Sequence, residues 1–467
     1  MSSFCFCLII NTMLKISLKK FAKIKKHICE HKKRYLLILG ALLIVIIFIG
    51  GLAIGYFSSR KDKNQKIEQA QEKNIYVDFS LELYDKIQKE HWNKVSDEEL
   101  SNLFRLAAEK LLGAPQKLAS EDKNGLVIMI DEITKNMEEA KKKEFIASVA
   151  NLVLVNLKPF GRSALYTQKL KQELANKVQN VNPENNLYSA LKAEEGATQK
   201  ELDDAYAKKI SELTPRIDDP AIKEEMEKVE YAYKVLSDEE NKKRYDESKA
   251  EPTVLGKLIG SDVLYLYVPR ISPTTLNDLK NETEKFDKGE ELNNLILDLR
   301  GNIGGSLDVL PYLLGPFIGP NNYAFELFKQ GEYEPFKTKF GWLPGLVRYK
   351  KVAILVDGNT QSSAEVMTAT FKKYNVGIVI GTKTKGWGTI EAVYKLENQI
   401  NENEEYSAFL VNHLTVRDDG QSIEGNGVEP TIDVSNKNWE KQLSAYFGYQ
   451  KLIDAIKKAL NSDPGKV

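Results

Sequence analysis

The sequence predicts an all-α N-terminal half and an α/β C-terminal half, behind one N-terminal transmembrane helix. An uncharged run spans residues 35–59. Between residues 60 and 250, apolar residues recur at three- and four-residue spacing, which is typical of amphipathic helices. From Val254 onward, β-branched and aromatic runs alternate with helical segments, which favours an α/β domain with a largely parallel sheet.

The composition bounds the number of domains and the kinds of site. The 467 residues are 42% hydrophobic and 28% charged, which suits two or three folded domains. Because 66 basic residues balance 66 acidic ones, the overall charge does not indicate a nucleic-acid partner. The three cysteines (Cys5, Cys7 and Cys29) precede the uncharged run, and only His91 and His413 follow it. The sequence after residue 59 therefore offers no disulfide, thiol nucleophile or Cys-His metal site, and no cofactor is implied.

Residues 35–59 are long enough to cross a bilayer core of about 30 Å as one helix. The alternatives are a buried helix and a cleaved signal peptide, although the latter has a shorter apolar core and a small-residue cleavage site. The lysine-rich segment 1–34, starting at Met1 or Met13, is expected to stay in the cytoplasm. This predicts a single-pass signal anchor with an extracytoplasmic body. Basic residues on the far side weaken the asymmetry: Arg60, Lys61, Lys63 and Lys66.

Residues 60–180 are predicted to form a helical stalk. The run from Ser80 to Leu112 places apolar residues on one helix face, and Ser96 with Asp97 can cap a new helix. The many Lys and Glu residues suit a solvated helix face. We expect this segment to hold the rest of the chain away from the membrane, with a substrate-handling role as the alternative.

A second helical module is predicted over residues 185–248. It contains Leu187-Tyr188, the run from Ala232 to Asp238, and Arg244-Tyr245-Asp246. These motifs resemble the J-domain, the helical hairpin by which co-chaperones stimulate heat-shock ATPase chaperones. The small core expected for such a module contains Leu187, Leu191, Leu202, Tyr206, Ile210, Tyr233 and Leu236.

The working motif of the J-domain family, His-Pro-Asp, is replaced here by Thr214-Pro215-Arg216. The His and the Asp are both absent, and the charge at the third position is reversed. The resemblance therefore implies a retained scaffold that serves as a structural or docking module. A chaperone ATPase partner is not expected, which agrees with the predicted placement outside the cytoplasm.

Residues 254–436 are predicted to form the α/β domain, and one further helix is expected within residues 437–467. Hydrolysis by a serine needs a nucleophile, a proton acceptor and N–H donors for the oxyanion. Ser362 lies between a predicted strand and a predicted helix, whose N-terminus favours developing negative charge. Gly304 and Gly305 follow another strand, where a residue without a side chain lets backbone N–H groups face a site. Taken singly, such a serine is typical of an N-cap and such glycines of a plain turn.

The order and spacing of several motifs change that interpretation. They are Asp298-Leu299-Arg300-Gly301-Asn302 with Gly304-Gly305, Ser362 with Glu365, Gly386 with Gly388-Thr389, and Gly427-Val428-Glu429-Pro430. Residues 254–434 thereby resemble the C-terminal processing peptidases, also called tail-specific proteases, which use a Ser–Lys dyad. A PDZ domain usually precedes the peptidase domain in that family, and the J-like module occupies its place here.

The resemblance implies a peptidase-like α/β fold, serine-type chemistry and a polypeptide substrate or ligand. It assigns Ser362 as the nucleophile and the N–H groups of Ser363 and of Gly304 or Gly305 as oxyanion donors. The family's general-base Lys falls on Trp387, and its supporting Gln falls on Glu391.

Trp387 cannot accept the serine proton, because the only polar group of its side chain is a donor. Losing a general base typically lowers the rate by roughly 10²–10⁴. We therefore expect a weakened or inactive serine peptidase that binds polypeptide.

The alternative is an active serine endopeptidase that uses Ser362 with a displaced base. Lys385 lies two residues before Trp387 and on the same face if the segment is extended. It requires burial to act as a base. His413 is a second candidate, and Glu391 is interpreted as a surface carboxylate of ordinary pKa, which makes a weak base. The sequence leaves the oligomeric state open.

Overall fold

A computed structural model describes residues 74–286 and 292–466 of the chain. The predicted basic segment 1–34 and the predicted transmembrane helix 35–59 lie outside the described residues. None of the helices within the two described ranges is both long and apolar enough to cross a bilayer. The chain from Ile75 onward forms one compact unit.

Nine helices and one short strand precede residue 254, and the other ten strands follow it within the described residues. The helices are α1 Ile75–Glu90, α2 Asp97–Leu112, α3 Lys123–Lys135, α4 Glu139–Val155, α5 Gln168–Gln179, α6 Leu187–Leu191, α7 Gln199–Leu213, α8 Pro220–Leu236, α9 Glu239–Ser248, α10 Thr275–Phe286, α11 Leu310–Ile318, α12 Pro344–Val347, α13 Ser363–Lys373, α14 Trp439–Phe447 and α15 Gln450–Leu460. The strands are β1 Ala164–Tyr166, β2 Leu255–Ile259, β3 Val263–Tyr267, β4 Asn294–Asp298, β5 Tyr323–Lys329, β6 Glu332–Lys337, β7 Lys351–Val356, β8 Ile378–Gly381, β9 Thr389–Lys395, β10 Ser407–Val416 and β11 Ile432–Asp433.

The helices α1 to α4 share their core with the peptidase-like part of the chain. Their apolar faces pack on Leu396, Ile400, Ala408 and Leu410, and β1 pairs antiparallel with β10. The expectation of a separate stalk over residues 60–180 is therefore wrong for the described part of that segment. An amphipathic helix must bury its apolar face, and strand β10 supplies the surface that does so. The predicted cap is confirmed, since Ser96 accepts a hydrogen bond from the Glu99 N–H.

The helices α6 to α9 form the predicted small helical module. Of the expected core, Leu187, Leu191, Leu202 and Leu236 are buried, while Tyr206, Ile210 and Tyr233 are partly buried against them. Tyr206 and Tyr233 stack with their ring centroids 4.0 Å apart. Thr214–Arg216 forms an exposed 3-10 turn between α7 and α8.

The module enters and leaves the rest of the chain at one place. Val181 and Ala250 form an isolated antiparallel bridge, and the Glu251 N–H donates to the Asn180 carbonyl at 3.0 Å. A buried ion pair then fixes α9 to α10: Arg244 Nη1 donates to Asp278 Oδ1 at 2.6 Å, and only 3% of the Asp278 side chain is exposed.

Two sheets organise the C-terminal part. The six-stranded sheet has the order β11-β8-β7-β4-β3-β2 and is parallel except for the β2–β3 pair, which confirms the predicted largely parallel sheet. The second sheet is antiparallel and was not predicted; its order is β1-β10-β5-β6, with β9 also paired to β10.

Helices cover both faces of the six-stranded sheet. On one face, Leu295 and Leu297 of β4 pack among α10, α11 and α13. On the other face, Ile296 packs against α14 and α15. These last two helices correct the expectation of one C-terminal helix, because Gly448 adopts a left-handed conformation (φ 56°) that ends α14.

The sheet brings the two predicted site motifs together. The strands β4 and β7 are adjacent and parallel, so the turns at their carboxyl ends meet at one edge. Gly301 N–H donates to Asp357 Oδ1, and Gln361 N–H donates to the Asn302 carbonyl, both at 2.9 Å.

Candidate active site

Ser362 lies at the junction of β7 and α13 with a backbone conformation that a non-glycine residue rarely adopts. Its φ is 58° and its ψ is −130°. Such a residue costs of order 1–3 kcal/mol and persists only where the surroundings enforce it. Ser362 occupies the N-cap position of α13 and shares a capping box with Glu365. An ordinary N-cap residue lies in the extended region, so capping alone does not account for the positive φ of this serine.

The glycine turn is in direct contact with Ser362. A Cβ atom added to Gly304 would lie 2.7 Å from Ser362 Cβ and 3.1 Å from Ser362 Oγ. No side chain fits in that space, and Gly304 also has a positive φ of 80°. The sequence-predicted nucleophile and the sequence-predicted oxyanion turn are thus neighbours.

The structure distinguishes among the three predicted oxyanion donors. Gly304 N–H already donates to Asn302 Oδ1 at 2.8 Å. The N–H groups of Gly305 and Ser363 donate none of the hydrogen bonds formed within the described residues. The Ser363 N–H belongs to the first turn of α13, where backbone N–H groups have no partner in the helix. Within the described residues, Gly305 and Ser363 thus keep N–H groups available for the predicted oxyanion role.

Glu365 connects the Ser362 turn to the Trp387 segment. Its Oε2 accepts from the Ser362 N–H at 2.9 Å and from the Trp387 N–H at 2.7 Å. Its Oε1 accepts from Thr384 Oγ1 at 2.5 Å and from the Gly386 N–H at 2.7 Å. Burial raises the pKa of Glu365, and the four hydrogen bonds oppose this effect. The sequence marked Glu365 only as a motif residue and missed this bridging role.

The Trp387 side chain is held by two charged groups. Its indole Nε1 donates to Glu391 Oε1 at 3.2 Å. The Arg162 guanidinium lies over the indole, 3.5 Å from the ring centroid, and pairs with Glu424 at 3.2 Å. Glu424 in turn accepts from the Gly388 N–H at 2.8 Å. Arg162 comes from the loop before β1, and no pattern in the sequence indicated it.

Glu391 differs from the sequence-based expectation. It was interpreted as a surface carboxylate of ordinary pKa, which is wrong: burial raises the pKa of Glu391. Its Oε1 accepts from Thr389 Oγ1 at 2.5 Å as well as from the Trp387 indole. The local sequence does not indicate that Trp387 and Arg162 lie next to the Glu391 carboxylate.

Lys385 does not lie with Trp387 on one face of a strand. Gly386 between them has a positive φ of 78°, and β9 begins only at Thr389. Lys385 is exposed, as expected from its surroundings, whereas Trp387 is half-buried. The exposure of Lys385 contrasts with the burial that the role of a displaced base requires.

His413 faces a different set of residues. Its Nδ1 lies 3.0 Å from Asn412 Oδ1, and burial and then Lys329 lower the pKa of the imidazole. Glu334 is the other charged neighbour, so the charged groups around His413 are not those of the Ser362 turn.

Two polar side chains next to Ser362 have no hydrogen-bond partner within the part of the chain that the structure describes. Gln361 Oε1 and Ser363 Oγ flank Ser362 and are buried without a hydrogen-bond partner among the described residues. Within those residues, no group of three or more His, Cys, Asp or Glu side chains is placed to hold a metal ion. Within the described residues, the arrangement therefore places Ser362 beside a glycine turn and a helix N-terminus that suit a carbonyl oxygen.

Comparisons with known proteins locate both domains. Residues 262–434 match Peptidase family S41, and residues 186–246 match the DnaJ domain. A probable CtpA-like serine protease of Staphylococcus epidermidis is 28% identical over 178 residues, which is 38% of this chain and 34% of that protein. A carboxy-terminal-processing protease of Bartonella bacilliformis is 25% identical over 213 residues, 44% of this chain and 47% of that one.

These matches span about a third to a half of the relatives' own lengths. Among solved structures, a lipoprotein from Streptococcus agalactiae has a TM-score of 0.37 at 14% identity, covering 76% of this chain and 96% of that one. The expected resemblances are confirmed by the sequence matches: the chain carries a domain of peptidase family S41, the C-terminal processing protease family, preceded by a DnaJ-type domain.

Proposed function

We propose that this protein binds polypeptide through its S41 domain and hydrolyses it weakly or not at all. Family membership supports a polypeptide ligand, since the matched relatives are named as proteases. The observation that carries the proposal is the position of the Trp387 side chain and its contacts. Its indole takes the place of the family's general base and is fixed by Arg162 at 3.5 Å and Glu391 at 3.2 Å.

The fixed indole has two chemical consequences. It offers only a donor to the site, so it cannot take the Ser362 proton. Its Nε1 already serves Glu391, and Arg162 covers one ring face, so the side chain is not poised to swing away. A bound peptide carbonyl can still meet the N–H groups of Gly305 and Ser363. Binding without efficient acyl transfer is the expected outcome.

An active serine endopeptidase remains the second candidate, because one observation favours it. Ser362 keeps a strained backbone, with φ at 58°, at the junction of β7 and α13. Strain of this kind is typical of functional sites. On this alternative a displaced base such as Lys385 must reach the serine after a rearrangement of the 382–388 segment.

The test uses the chain from residue 75 onward with an unfolded, fluorescently labelled protein, beside a Ser362→Ala control. The proposal expects equal retention of the polypeptide by both forms and no fragments that depend on Ser362. Fragments that vanish in Ser362→Ala establish the peptidase instead. Lys385→Ala then decides the base: unchanged cleavage excludes Lys385, and lost cleavage with an unchanged melting temperature supports it.

We further propose that residues 35–59 anchor the protein in a membrane, with the body outside the cytoplasm. The support is the uncharged run and the lysine-rich segment before it. All three cysteines precede residue 35, so they report on one side of the membrane. A membrane-impermeant maleimide should leave intact cells unlabelled and label the chain after lysis. Labelling of intact cells would reverse the proposed orientation, and release of the chain by alkaline carbonate would exclude the anchor.

A further inference from the structure

A second surface of the peptidase domain carries exposed aromatic side chains on a rigid support. Residues 338–347, the aromatic loop, follow β6 and end with α12. Trp342 is 62% exposed, Phe340 is 48% exposed and Val347 is 43% exposed. Exposed apolar residues are ordinary when scattered, but these three lie within eight consecutive residues.

Helix α11 holds the aromatic loop in place. The Lys339 N–H donates to the Pro311 carbonyl at 2.8 Å, and the Leu343 N–H donates to the Pro316 carbonyl at 3.0 Å. Leu346 is buried beneath the loop at 3% exposure. The exposed side chains are therefore presented by an ordered backbone, which lowers the entropy cost of burying them against a partner.

Gly315 within α11 and Gly319 at its C-cap make this close contact possible. A Cβ atom on Gly315 would lie 2.1 Å from the Phe340 carbonyl oxygen. A Cβ atom on Gly319 would lie 2.6 Å from Trp342 Cζ2. The indole thus rests edgewise on the helix end while most of its surface stays exposed.

The charged residues within and just after the aromatic loop are basic, whereas Glu332 and Glu334 precede it on β6. Residues 335–350 contain Lys337, Lys339, Arg348 and Lys350 and no acidic residue, in a chain whose charges otherwise balance. Lys339 Nζ lies 4.8 Å from the centroid of the Tyr312 ring. The centroids of the Tyr312 and Phe340 rings are 5.2 Å apart. Lysine and exposed aromatic side chains therefore share one surface. Tryptophan, tyrosine and lysine together are typical of the lipid headgroup region.

The geometry points to the aromatic loop as a site that docks on an anionic phospholipid surface. The lysines complement anionic headgroups, and Trp342 and Phe340 suit the boundary between headgroups and acyl chains. The proposed anchor ends at residue 59 and α1 begins at Ile75. The 15 residues between them extend to at most about 50 Å, which keeps the body within reach of a bilayer. This last point rests on the proposed anchor; the loop itself does not.

The test uses the chain from residue 75 onward, which forms one compact unit without the proposed anchor. It is sedimented with vesicles of phosphatidylcholine alone or with about a third phosphatidylglycerol. We expect binding to the anionic vesicles that weakens with salt. Phe340→Ala with Trp342→Ala should lower binding at least about tenfold. Lys337→Glu with Lys339→Glu should lower it by a similar factor.

Two matched variants make the result specific. Tyr446→Ala removes an aromatic side chain of similar exposure, 56%, from α14 and should bind as the unchanged chain does. Trp342→Phe should keep binding while losing the fluorescence quenching caused by brominated lipid. No sedimentation with anionic vesicles at low salt, or binding indifferent to the Phe340 and Trp342 changes, overturns the proposal. A dimer that those changes dissolve, without vesicle binding, assigns the surface to a second copy of the chain. Failure of this test leaves polypeptide binding at Ser362 intact, and the reverse also holds.

Discussion

The sequence resemblances predict that two places in this chain lack the residues that carry their family's chemistry, and the structure surrounds these two places differently. The Thr214-Pro215-Arg216 turn of the DnaJ-type domain is exposed, and Thr214 Oγ1 donates back to the Ile210 carbonyl of its own helix at 2.7 Å. Trp387, by contrast, contacts Arg162 and Glu391 through its ring and Glu365 through its backbone.

The difference distinguishes a site whose side chains have few contacts, at the turn, from a site whose side chain is bound into a network, at Trp387. At the turn, Thr214 and Arg216 stand where the J-domain family has His and Asp, and within the described residues their hydrogen bonds stay inside the pair of helices α7 and α8. At Trp387, the new side chain belongs to a network that spans the loop before β1 and the segments around β9 and β10. A change at Trp387 or its partners should therefore affect stability, and a change at the turn should not.

The largest effect is expected for Gly304→Ala, which strikes the contact between the glycine turn and Ser362. The added Cβ meets Ser362 Cβ at 2.7 Å, and alanine is strained at a φ of 80°. We expect a loss of about 3 kcal/mol or more in the free energy of unfolding, measured by urea denaturation. Gly420→Ala is the matched control, because Gly420 has a φ of 77° and nothing within 4 Å of the added atom. The free energy of unfolding of Gly420→Ala should fall by only about 1 kcal/mol. Equal losses in the two variants would show that the contact between Gly304 and Ser362 does not affect stability.

Arg162→Ala should lower the free energy of unfolding by roughly 1–2 kcal/mol, since it removes the stack on Trp387 and the pair with Glu424. Only 19% of the Arg162 side chain is exposed, so solvent weakens these contacts incompletely. Urea denaturation measures the loss, and a red shift of Trp387 fluorescence, identified by difference with Trp387→Phe, reports a wetter indole. Arg162→Lys should recover little, because an ammonium does not stack as a planar guanidinium does. A wild-type curve for Arg162→Ala would mean that the network is not built as described.

Glu391→Gln should change how the free energy of unfolding depends on pH more than it changes the magnitude of that free energy. Burial raises the pKa of Glu391 above the usual 4.5, so protonation favours the folded state. That stabilisation is complete below the unfolded-state pKa and is lost as pH rises through the folded-state pKa. The Gln variant should therefore be at least as stable as the unchanged chain at neutral pH, with the difference shrinking towards acid.

Melting temperatures of both forms between acid and neutral pH check this. Glu365, whose pKa burial also raises, supplies a remaining slope in both proteins. A Gln variant that loses stability at neutral pH would show that the charge of Glu391, paired with Arg162, outweighs the cost of its burial.

The smallest effect is expected at the turn. Thr214→His with Arg216→Asp should leave the melting temperature within about 1 °C, because exposed substitutions outside any network seldom matter. Leu202→Ala in the same domain is the contrasting variant, since Leu202 is fully buried and its truncation should cost about 2–5 kcal/mol. A large shift from the turn would place it in a contact that the structure does not contain.

The parts of the site that backbone geometry determines were predictable. The meeting of Gly304 with Ser362 follows from two glycine- and serine-bearing turns at the ends of adjacent parallel strands. The strand-to-helix junction at Ser362 follows from local residue patterns. Both depend on interactions that the nearby sequence encodes.

The parts that depend on distant side chains were not predictable. Glu391 is buried because Trp387 and Arg162 are near, and Arg162 precedes Trp387 by more than two hundred residues. Lys385 was expected beside Trp387 because an extended chain alternates its faces, but Gly386 turns the backbone between them. The shared core of α1 to α4 with β10 also requires tertiary information.

The bridge between Val181 and Ala250 has a consequence for how such a chain can change over time. The DnaJ-type domain begins and ends at neighbouring points, so the two ends of the chain that connect it to the rest of the fold lie close together. A domain attached in this way can be exchanged for another, or shortened to a few residues, without moving the strands on either side. Contacts across the boundary would need repair: Asp278, left without Arg244, would become an unpaired buried charge, and the buried Glu251 would lose its hydrogen bond from Tyr231. This connection is therefore suited to the insertion of different domains. The ion pair between Arg244 and Asp278 is a contact that is specific to the present domain.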